Sequence, residues 1–305
     1  MAIAQWTAAA PTTSKRVITH IEARNRKVIS NLGLVEMAES LNDKLTGVGT
    51  KSTPNGQCGF PFAEANLTAI TPDAQNAGWA MSPNQACTVG SYCPYACASG
   101  MYSAQWDPSV TKISYPSSMN GGLYCNENGT LTKPFPERPL CLPGLDNVAV
   151  QNTLKSNVSI CQTVYPGNEA MLIPTVAVAQ GKPATINTPP HTYWLGTSAQ
   201  YYVNKEGSGA GQCIWGTDAQ PVGNWGPYVF GSGQGADGNT YISVVYNPLY
   251  LQKGYSPKDT YNVKIECTGG QCNGLPCQCE QGNCSPNGGC TVAIQPGGSA
   301  RFVLY

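Results

Sequence analysis

The sequence predicts a mainly β fold, a disulfide-rich antiparallel β-sandwich with a cysteine-rich loop lobe and an N-terminal helical extension. Three observations support this. The 305 residues include 14 cysteines, 34 glycines and 24 prolines, which favours many turns and many cross-links. Beyond residue 170, short β-branched and aromatic runs alternate with Gly and Pro, as in sandwiches and barrels. Before residue 52 the pattern is helical instead.

The N-terminal extension comprises residues 1–51 and contains no cysteine. Apolar residues from Val17 to Leu41 recur at spacings of three, four and seven, which predicts an amphipathic helix within 17–46. A Gly/Thr/Ser/Pro linker then leads into a domain over residues 52–305. Two roles stay open for the helix: packing on the domain, or self-association through its apolar stripe.

Three cysteines within eleven residues, Cys87, Cys93 and Cys97, followed by Cys125, indicate a metal site or a disulfide knot. Zinc bound by cysteine alone favours paired C-x-x-C spacings, and the chain has only two histidines. We therefore expect no metal and no cofactor, and a secreted, oxidised protein. The predicted disulfide cysteines are Cys58, Cys87, Cys93, Cys97, Cys125, Cys141, Cys161, Cys213, Cys267, Cys272, Cys277, Cys279, Cys284 and Cys290.

The disulfide-rich part begins at Cys58, and we expect loops to dominate residues 55–165. The later apolar and aromatic runs predict strands at 171–178, 199–203, 228–230, 241–246, 261–267, 290–294 and 300–305. Residues 261–267 alternate strictly, with Tyr261, Val263, Ile265 and Cys267 on one face, which predicts a sheet with one dry and one wet face. The cysteines of 267–290 are predicted to staple a long hairpin.

Charge and hydropathy restrict the partners. The formal net charge is zero and charged residues are 11% of the chain, so no basic stripe indicates nucleic acid. No apolar run is long enough to span a membrane. Three Asn-x-Ser/Thr triplets, at Asn66, Asn128 and Asn157, predict N-glycosylation outside the cell.

The motifs from Gly56 to Tyr305 resemble those of the fungal SUN family. The resemblance rests on the Cys87-x5-Cys93-x3-Cys97 spacing with Cys125 in G-G-L-Y-C. Further blocks are Y-P-G at 165–167, T-S-A-Q-Y-Y-V-N at 197–204, C-I-W-G at 213–216, G-N-W at 223–225 and the closing F-V-L-Y at 302–305.

The resemblance implies a secreted fungal cell-wall protein that acts in wall remodelling and septation. The family is classed as glycoside hydrolases acting on β-glucans, so the expected partner is a β-glucan such as β-1,3-glucan. A non-catalytic wall protein that binds glucan stays open as the alternative. By analogy, a thaumatin-like sandwich fits the many disulfides and a glucan cleft. The helix at 17–46 replaces the Ser/Thr-rich stalk usual in the family.

A glycosidase needs two carboxyl groups beside the scissile bond. Four acids fall in family blocks, and the predicted catalytic residues among them are Asp218, Glu169 and Asp237, with Glu280 as a further candidate. Asp218 is the strongest, because it lies between Trp215 and Trp225. An apolar wall raises the pKa of a carboxyl group toward the value that a general acid requires.

Aromatic side chains supply the predicted sugar-binding surface, because flat aromatic faces stack on sugar rings. The predicted sugar-binding residues are Trp106, Trp215, Trp225, Tyr202 and Asn224. Asn224 would bond sugar hydroxyls. The same aromatic residues fit a protein core equally well, since Trp is highly buried on average.

Overall fold

The computed structural model describes residues 56–112, 117–118, 121–163, 166–168, 172–285 and 288–305. The extension at 1–51, its predicted helix at 17–46, and Glu169 lie outside the described residues. The larger compact unit comprises residues 49–135 and 140–305. Pro136–Pro139 belong with Met1–Val48 to a second unit. The domain boundary at residue 52 therefore stays a prediction.

The first part of the larger unit is a lobe of short strands joined by long turns. Its strands are β1 (Leu67–Thr68), β2 (Tyr92–Cys93), β3 (Ala96–Cys97), β4 (Met101–Ser103), β5 (Ser117–Ser118), β6 (Leu123–Cys125), β7 (Leu131–Thr132) and β8 (Cys141–Pro143). Three disulfides cross-link the lobe: Cys58–Cys125, Cys87–Cys93 and Cys97–Cys141. Since these strands are only two or three residues long, the cross-links contribute much of the lobe's stability.

Longer strands form the second part. They are β9 (Val148–Asn152), β10 (Val158–Thr163), β11 (Gly167–Asn168), β12 (Ile173–Ala177), β13 (Ala184–Thr185), β14 (Ala199–Val203), β15 (Tyr228–Gln234), β16 (Thr240–Tyr246), β17 (Val263–Gly269), β18 (Cys272–Asn273), β19 (Gln278–Glu280), β20 (Asn283–Ser285), β21 (Gly289–Ile294) and β22 (Ser299–Leu304). One short helix, α1 (Pro248–Gln252), and four 3-10 turns, Trp194–Gly196, Ala210–Gln212, Gly223–Trp225 and Pro257–Asp259, lie in the described loops.

All of these strands except β11, which pairs with β5, form two sheets. A seven-stranded sheet has the order β12-β10-β14-β15-β16-β21-β18, and a six-stranded sheet has the order β13-β9-β22-β17-β19-β20. The pairs are antiparallel except β22, which runs parallel to β9. The last strand therefore lies inside its sheet, between β9 and β17. The predicted mainly β, disulfide-rich antiparallel fold is confirmed.

The core lies where the inner faces of the two sheets meet. Phe230 of β15 stacks on Phe302 of β22 with ring centroids 4.1 Å apart, and both rings are fully buried. The predicted dry face of residues 261–267 is confirmed at Tyr261, Val263 and Ile265, which are buried in this core. Cys267 is only half-buried, because it lies where the pairing of β17 with β22 is irregular. Burying such side chains stabilises the fold by about 1.5–3 kcal/mol each.

Strand direction defines two ends of the sandwich. β15 starts at Tyr228, and we call that side the Tyr228 end. β14 and β9 finish there, and β17 starts there. β15 finishes at Gln234, and the hairpin to β16 marks the Gln234 end. The two ends are separated by the length of β15, about 20 Å at roughly 3.3 Å per residue.

The second cysteine cluster differs from the predicted stapled hairpin. β18 pairs with β21 in the seven-stranded sheet, whereas β19 and β20 join the six-stranded sheet. Cys267–Cys272 therefore links β17 and β18 of different sheets, and Cys277–Cys290 links the residue before β19 to β21 of the other sheet. Cys279–Cys284 joins the neighbouring strands β19 and β20. The segment crosses from one sheet to the other, which its cysteine spacing does not reveal.

Candidate functional site

The Trp215 loop, residues 213–225, lies at the Tyr228 end of the sandwich. The Cys161–Cys213 disulfide fixes its first residue to β10. Asn204, directly after β14, receives a hydrogen bond from Gly223 N at 2.8 Å and donates one to Gln212 O at 3.1 Å. A covalent link and a buried amide thus hold the loop at both of its ends.

Trp215 is the exposed aromatic residue of this loop. Its side chain is 43% exposed, and its ring meets the ring of Tyr202 edge-on at 6.2 Å. Tyr202 lies on the outer face of β14, opposite Cys161 of β10. Two of the predicted sugar-binding residues, Trp215 and Tyr202, therefore form one surface. The other three, Trp106, Trp225 and Asn224, lie in different surroundings.

Trp225 and Asn224 are buried rather than displayed. Asn224 Oδ1 accepts a hydrogen bond from Gly216 N at 2.7 Å, and its backbone oxygen accepts one from Asn247 Nδ2 at 2.7 Å. Asn247 also caps α1, since its Oδ1 accepts from Leu249 N. In this structure Asn224 shapes the loop through its own hydrogen bonds.

Asp218 lies in the same loop, but no apolar wall encloses it. Its side chain is 75% exposed, and Oδ2 is 3.6 Å from Lys253 Nζ. The same ammonium lies 4.9 Å from the ring centroid of Trp225. The structure thus places an exposed carboxylate beside a cation, where the sequence predicted a carboxyl group between two indoles.

Asp237 and Trp106 lie away from this loop. Asp237 is in the hairpin at the Gln234 end and accepts a hydrogen bond from the Tyr241 hydroxyl at 2.6 Å. That bond, followed by one from Asn239, lowers the pKa of Asp237. Trp106 packs against Phe135 and Tyr193.

Asp218 and Asp237 therefore lie at opposite ends of β15, a strand about 20 Å long. A glycosidase pair stands at about 5–10 Å, so the structure does not bring these two predicted acids together.

A pocket of 420 Å³, which no sequence motif indicated, opens at the Tyr228 end. Its lining residues are Leu154, Lys205, Glu206, Asp259, Thr260, Tyr261 and Tyr305. Four segments far apart in sequence meet here: the β9–β10 turn, the residues after β14, those before β17 and the C-terminus. The one indication in the sequence is that Glu206 lies two residues after the 197–204 block. Nothing in the sequence marked Asp259.

The two acids of this pocket have different surroundings. Glu206 Oε1 accepts hydrogen bonds from Lys155 N and Ser156 N, both at 2.9 Å. The Asp259 carboxylate makes no hydrogen bond or ion pair with any described residue. Burial, and then the charge of Glu206, raises the pKa of Tyr261 well above its usual value.

Asn204 connects this pocket to the Trp215 loop. Its backbone oxygen accepts a hydrogen bond from the Tyr261 hydroxyl at 2.7 Å, while its side chain holds Gly223 and Gln212. Lys205, the next residue, places Nζ 5.4 Å and 5.5 Å from the ring centroids of Tyr250 and Tyr255. Pocket and loop therefore belong to one aromatic-rich end of the molecule.

The outer face of the six-stranded sheet carries a second group of charges beside a groove of 660 Å³. Glu266 binds Arg301 at 2.9 Å and Lys264 at 2.9 Å. These two cations lower the pKa of Glu266. Glu280 accepts hydrogen bonds from the hydroxyl of Tyr305 and from Gln278 Nε2. Both carboxylates thus have both oxygens occupied by protein groups.

The cysteine cluster that suggested a metal contains two adjacent disulfides. The sulfurs of Cys58, Cys87 and Cys125 lie within 4.8 Å of one another, but all three are paired, as are the other eleven cysteines. Disulfides, not thiolates, occupy this position. No described helix has the length and hydropathy to cross a membrane.

The three predicted glycosylation sites, Asn66, Asn128 and Asn157, are exposed on loops and turns. Their side chains are therefore accessible from solvent. Sugar attachment itself stays a prediction.

Residues 54–292 match the family model described as Beta-glucosidase (SUN family). The chain is 45% identical over 264 residues to the "Probable secreted beta-glucosidase adg3" of Schizosaccharomyces pombe, covering 81% of this chain and 23% of that protein. It is 41% identical over 244 residues to the "Secreted beta-glucosidase SIM1" of Candida albicans, covering 75% of this chain and 62% of that one. The chain thus spans less than two thirds of these relatives.

Among solved structures, the elicitor MoHrip2 of Magnaporthe oryzae matches 52% of this chain and 98% of its own, with 12% identity and a TM-score of 0.33. No conclusion follows from so low a score, and the thaumatin-like architecture stays a prediction. The predicted secreted location is confirmed by the relatives, which are named as secreted proteins. The match across most of the chain, with the predicted cysteines all in disulfides, shows that the protein belongs to the SUN family.

Proposed function

We propose that this protein binds β-1,3-glucan at the Tyr228 end of its sandwich and hydrolyses it during remodelling and septation of the fungal wall. The observation that carries the proposal is the exposed Trp215, held by the Cys161–Cys213 disulfide beside Tyr202. A fixed, exposed indole offers a flat apolar face for a sugar ring at little entropic cost. The names of the relatives support a β-glucoside as substrate.

A second function, glucan binding without hydrolysis, is favoured by one observation. Asp218 and Asp237 lie at opposite ends of β15, which does not favour these two predicted acids as a catalytic pair. A wall protein could use the same aromatic surface only to attach to glucan. The two functions differ in a single measurable property, the release of reducing ends.

Binding and hydrolysis of laminarin, a soluble β-1,3-glucan, test both functions together. Loss of a stacked aromatic side chain, worth about 1.5–3 kcal/mol, should weaken laminarin binding by Trp215→Ala about ten- to a hundredfold. Phe62→Ala is the matched control, because Phe62 is an exposed ring in the cysteine-rich lobe. It should bind as the wild type does.

Reducing-end assays on the wild type separate the outcomes. Binding with release supports hydrolysis, whereas binding without release supports the attachment function. Equal binding by wild type and Trp215→Ala would exclude the Trp215 surface as the glucan site. Release from a β-1,6-glucan but not from laminarin would overturn the proposed linkage.

A further inference from the structure

We propose that Glu206 and Asp259 are the catalytic carboxyl pair of this protein, with Asp259 as proton donor and Glu206 as base. The proposal rests on the proposed function, because it assigns residues to the hydrolysis stated there. It places the chemistry in the 420 Å³ pocket at the Tyr228 end. Neither acid lies in a block that the sequence analysis used.

Both acids line the same pocket and are exposed to solvent, so a polysaccharide and a water can reach them. Tyr261 and Tyr305 line the same space, which gives the aromatic wall that sugar recognition uses. The buried hydroxyl of Thr260, which also lines it, has no hydrogen-bond partner among the described residues.

The hydrogen bonds of the two acids assign their roles. Because Glu206 Oε1 accepts from two backbone N–H groups, that oxygen carries no proton, and the group is held as an acceptor with Oε2 unbound. Lys205 does not neutralise it, since the ammonium lies over the rings of Tyr250 and Tyr255. Asp259 has both oxygens available for a substrate.

Four other described acids are less suitable. Glu266 and Glu280 have both carboxylate oxygens bound by protein donors. Asp218 is paired with Lys253 on an open loop, and Asp237 lies at the Gln234 end, bonded by Tyr241 and Asn239. Of these six acids, Glu206 and Asp259 are the two that line one pocket with aromatic walls and keep carboxylate oxygens available.

The reaction conserves atoms and protons. The Asp259 carboxyl group gives its proton to the glycosidic oxygen as the bond from the anomeric carbon to that oxygen breaks. A water adds to the anomeric carbon from the opposite side, and its proton passes to the Glu206 carboxylate. One water is consumed, two hydroxyl groups form, and proton exchange with solvent restores both acids. Such a displacement inverts the anomeric configuration.

The pocket also lies within reach of the Trp215 surface. Asn204 contacts both, since its side chain holds Gly223 of the loop and its backbone oxygen accepts the Tyr261 hydroxyl of the pocket. A glucan chain that stacks on Trp215 can therefore extend along the same end toward the acids. Binding and cleavage then use neighbouring parts of one polysaccharide.

The test compares wild type, Glu206→Gln, Asp259→Asn and the control Asp73→Asn, an exposed acid of the cysteine-rich lobe. The change at Glu206 keeps an amide oxygen for the same two N–H donors, and the change at Asp259 keeps the side-chain shape. Each should lower kcat on laminarin by about 10²–10⁴-fold, the contribution of a general acid or base. Laminarin binding and the thermal midpoint should stay at wild-type values, and Asp73→Asn should be fully active.

Three outcomes would overturn the assignment. If the wild type releases reducing ends and both variants retain that rate, the pair is wrong while the proposed function stands. If the wild type cleaves no glucan, the proposed hydrolysis and the pair fail together. If proton NMR shows the β-anomer forming first from a β-glucan, Glu206 is not the base of an inverting reaction.

Discussion

Asn204 is the residue that joins the Trp215 loop, the sheet and the pocket. It is 1% exposed, and its side chain bonds Gly223 N, Gln212 O and Ser159 Oγ. The structure shows it buried, where it fixes the direction in which Trp215 is displayed.

Replacing Asn204 by Ala should therefore destabilise the protein. The change leaves buried backbone groups of Gly223 and Gln212 without a partner, at about 1–3 kcal/mol each. Urea unfolding measures the loss, and laminarin binding should weaken with it because the loop is no longer held. Gln200→Ala, an exposed amide on the same strand, should leave both quantities unchanged. A wild-type urea midpoint for Asn204→Ala would contradict this role.

Glu266 makes the stability of the protein depend on pH, and its lowered pKa determines the sign of that dependence. Hydrogen bonds from Lys264 and Arg301 lower its pKa in the folded protein, so the ion pairs contribute above the unfolded value near 4.3. That contribution disappears as the pH falls through the lower folded value. Because the carboxylate side chain is 32% exposed, it amounts to less than about 1 kcal/mol.

Urea midpoints of wild type and Glu266→Gln from pH 7 to pH 2 measure this effect. The wild type should be the more stable at pH 7, and the two curves should converge at the acid end. Adding salt should narrow the gap at pH 7, because these charges are partly exposed. A gap that widens toward low pH would show the opposite sign.

At the scale of elements, the Cys161–Cys213 disulfide is the main tether of the Trp215 loop. It closes 52 residues, whereas Cys267–Cys272 closes five. By chain entropy, the longer link stabilises the protein by about 4 kcal/mol and the shorter by about 2 kcal/mol.

The double variant Cys161→Ser/Cys213→Ser should accordingly lose more stability in urea than Cys267→Ser/Cys272→Ser. Only the first should also lose laminarin affinity, since only that bond anchors the loop carrying Trp215. The second pair controls for removing a disulfide as such. Equal losses of affinity in both variants would show that the tether does not organise the binding surface.

The strands show what local pattern can predict. β14 was predicted with its observed ends, and β16, β17 and β21 within two residues, because their alternation matches one buried face. β9 and β10 fell in the region expected to be loops. β10 is buried at Val158, Ser159, Ile160 and Cys161 in succession, so it shows no alternation to detect. Its burial comes from neighbours on both faces.

At the scale of the whole molecule, complete pairing of cysteine is the property that links fold and location. All 14 cysteines form seven disulfides. Six pairs lie within the lobe or within the segment 267–290, and Cys161–Cys213 lies inside the sandwich. The lobe depends on its cross-links more than the sandwich does, since the sandwich has the larger apolar core.

Thiol titration of the secreted protein in denaturant counts its free and disulfide-bonded cysteines. We expect no free thiols before reduction and 14 after it, with no zinc by metal analysis. Partial reduction should open the lobe before the sandwich, as followed by mass spectrometry of alkylated peptides. Several free thiols in the unreduced protein, or bound zinc at Cys58, Cys87 and Cys125, would contradict the oxidised structure.

The sequence by itself determined the fold class, the family and the oxidised state, because each is written in local pattern: alternation in strands, spacing of cysteines and ordered motif blocks. It also predicted that Trp215 and Tyr202 share a sugar-binding role. Only the tertiary structure placed Glu206 and Asp259 in the lining of one pocket. Glu206 and Asp259 lie 53 positions apart, and Asp218 and Asp237, though 19 apart, are held at opposite ends by one extended strand. Because strand pairing brings distant residues together and an extended strand keeps near ones apart, separation in sequence does not predict separation in space. The proposed carboxyl pair could therefore not be predicted from residue order.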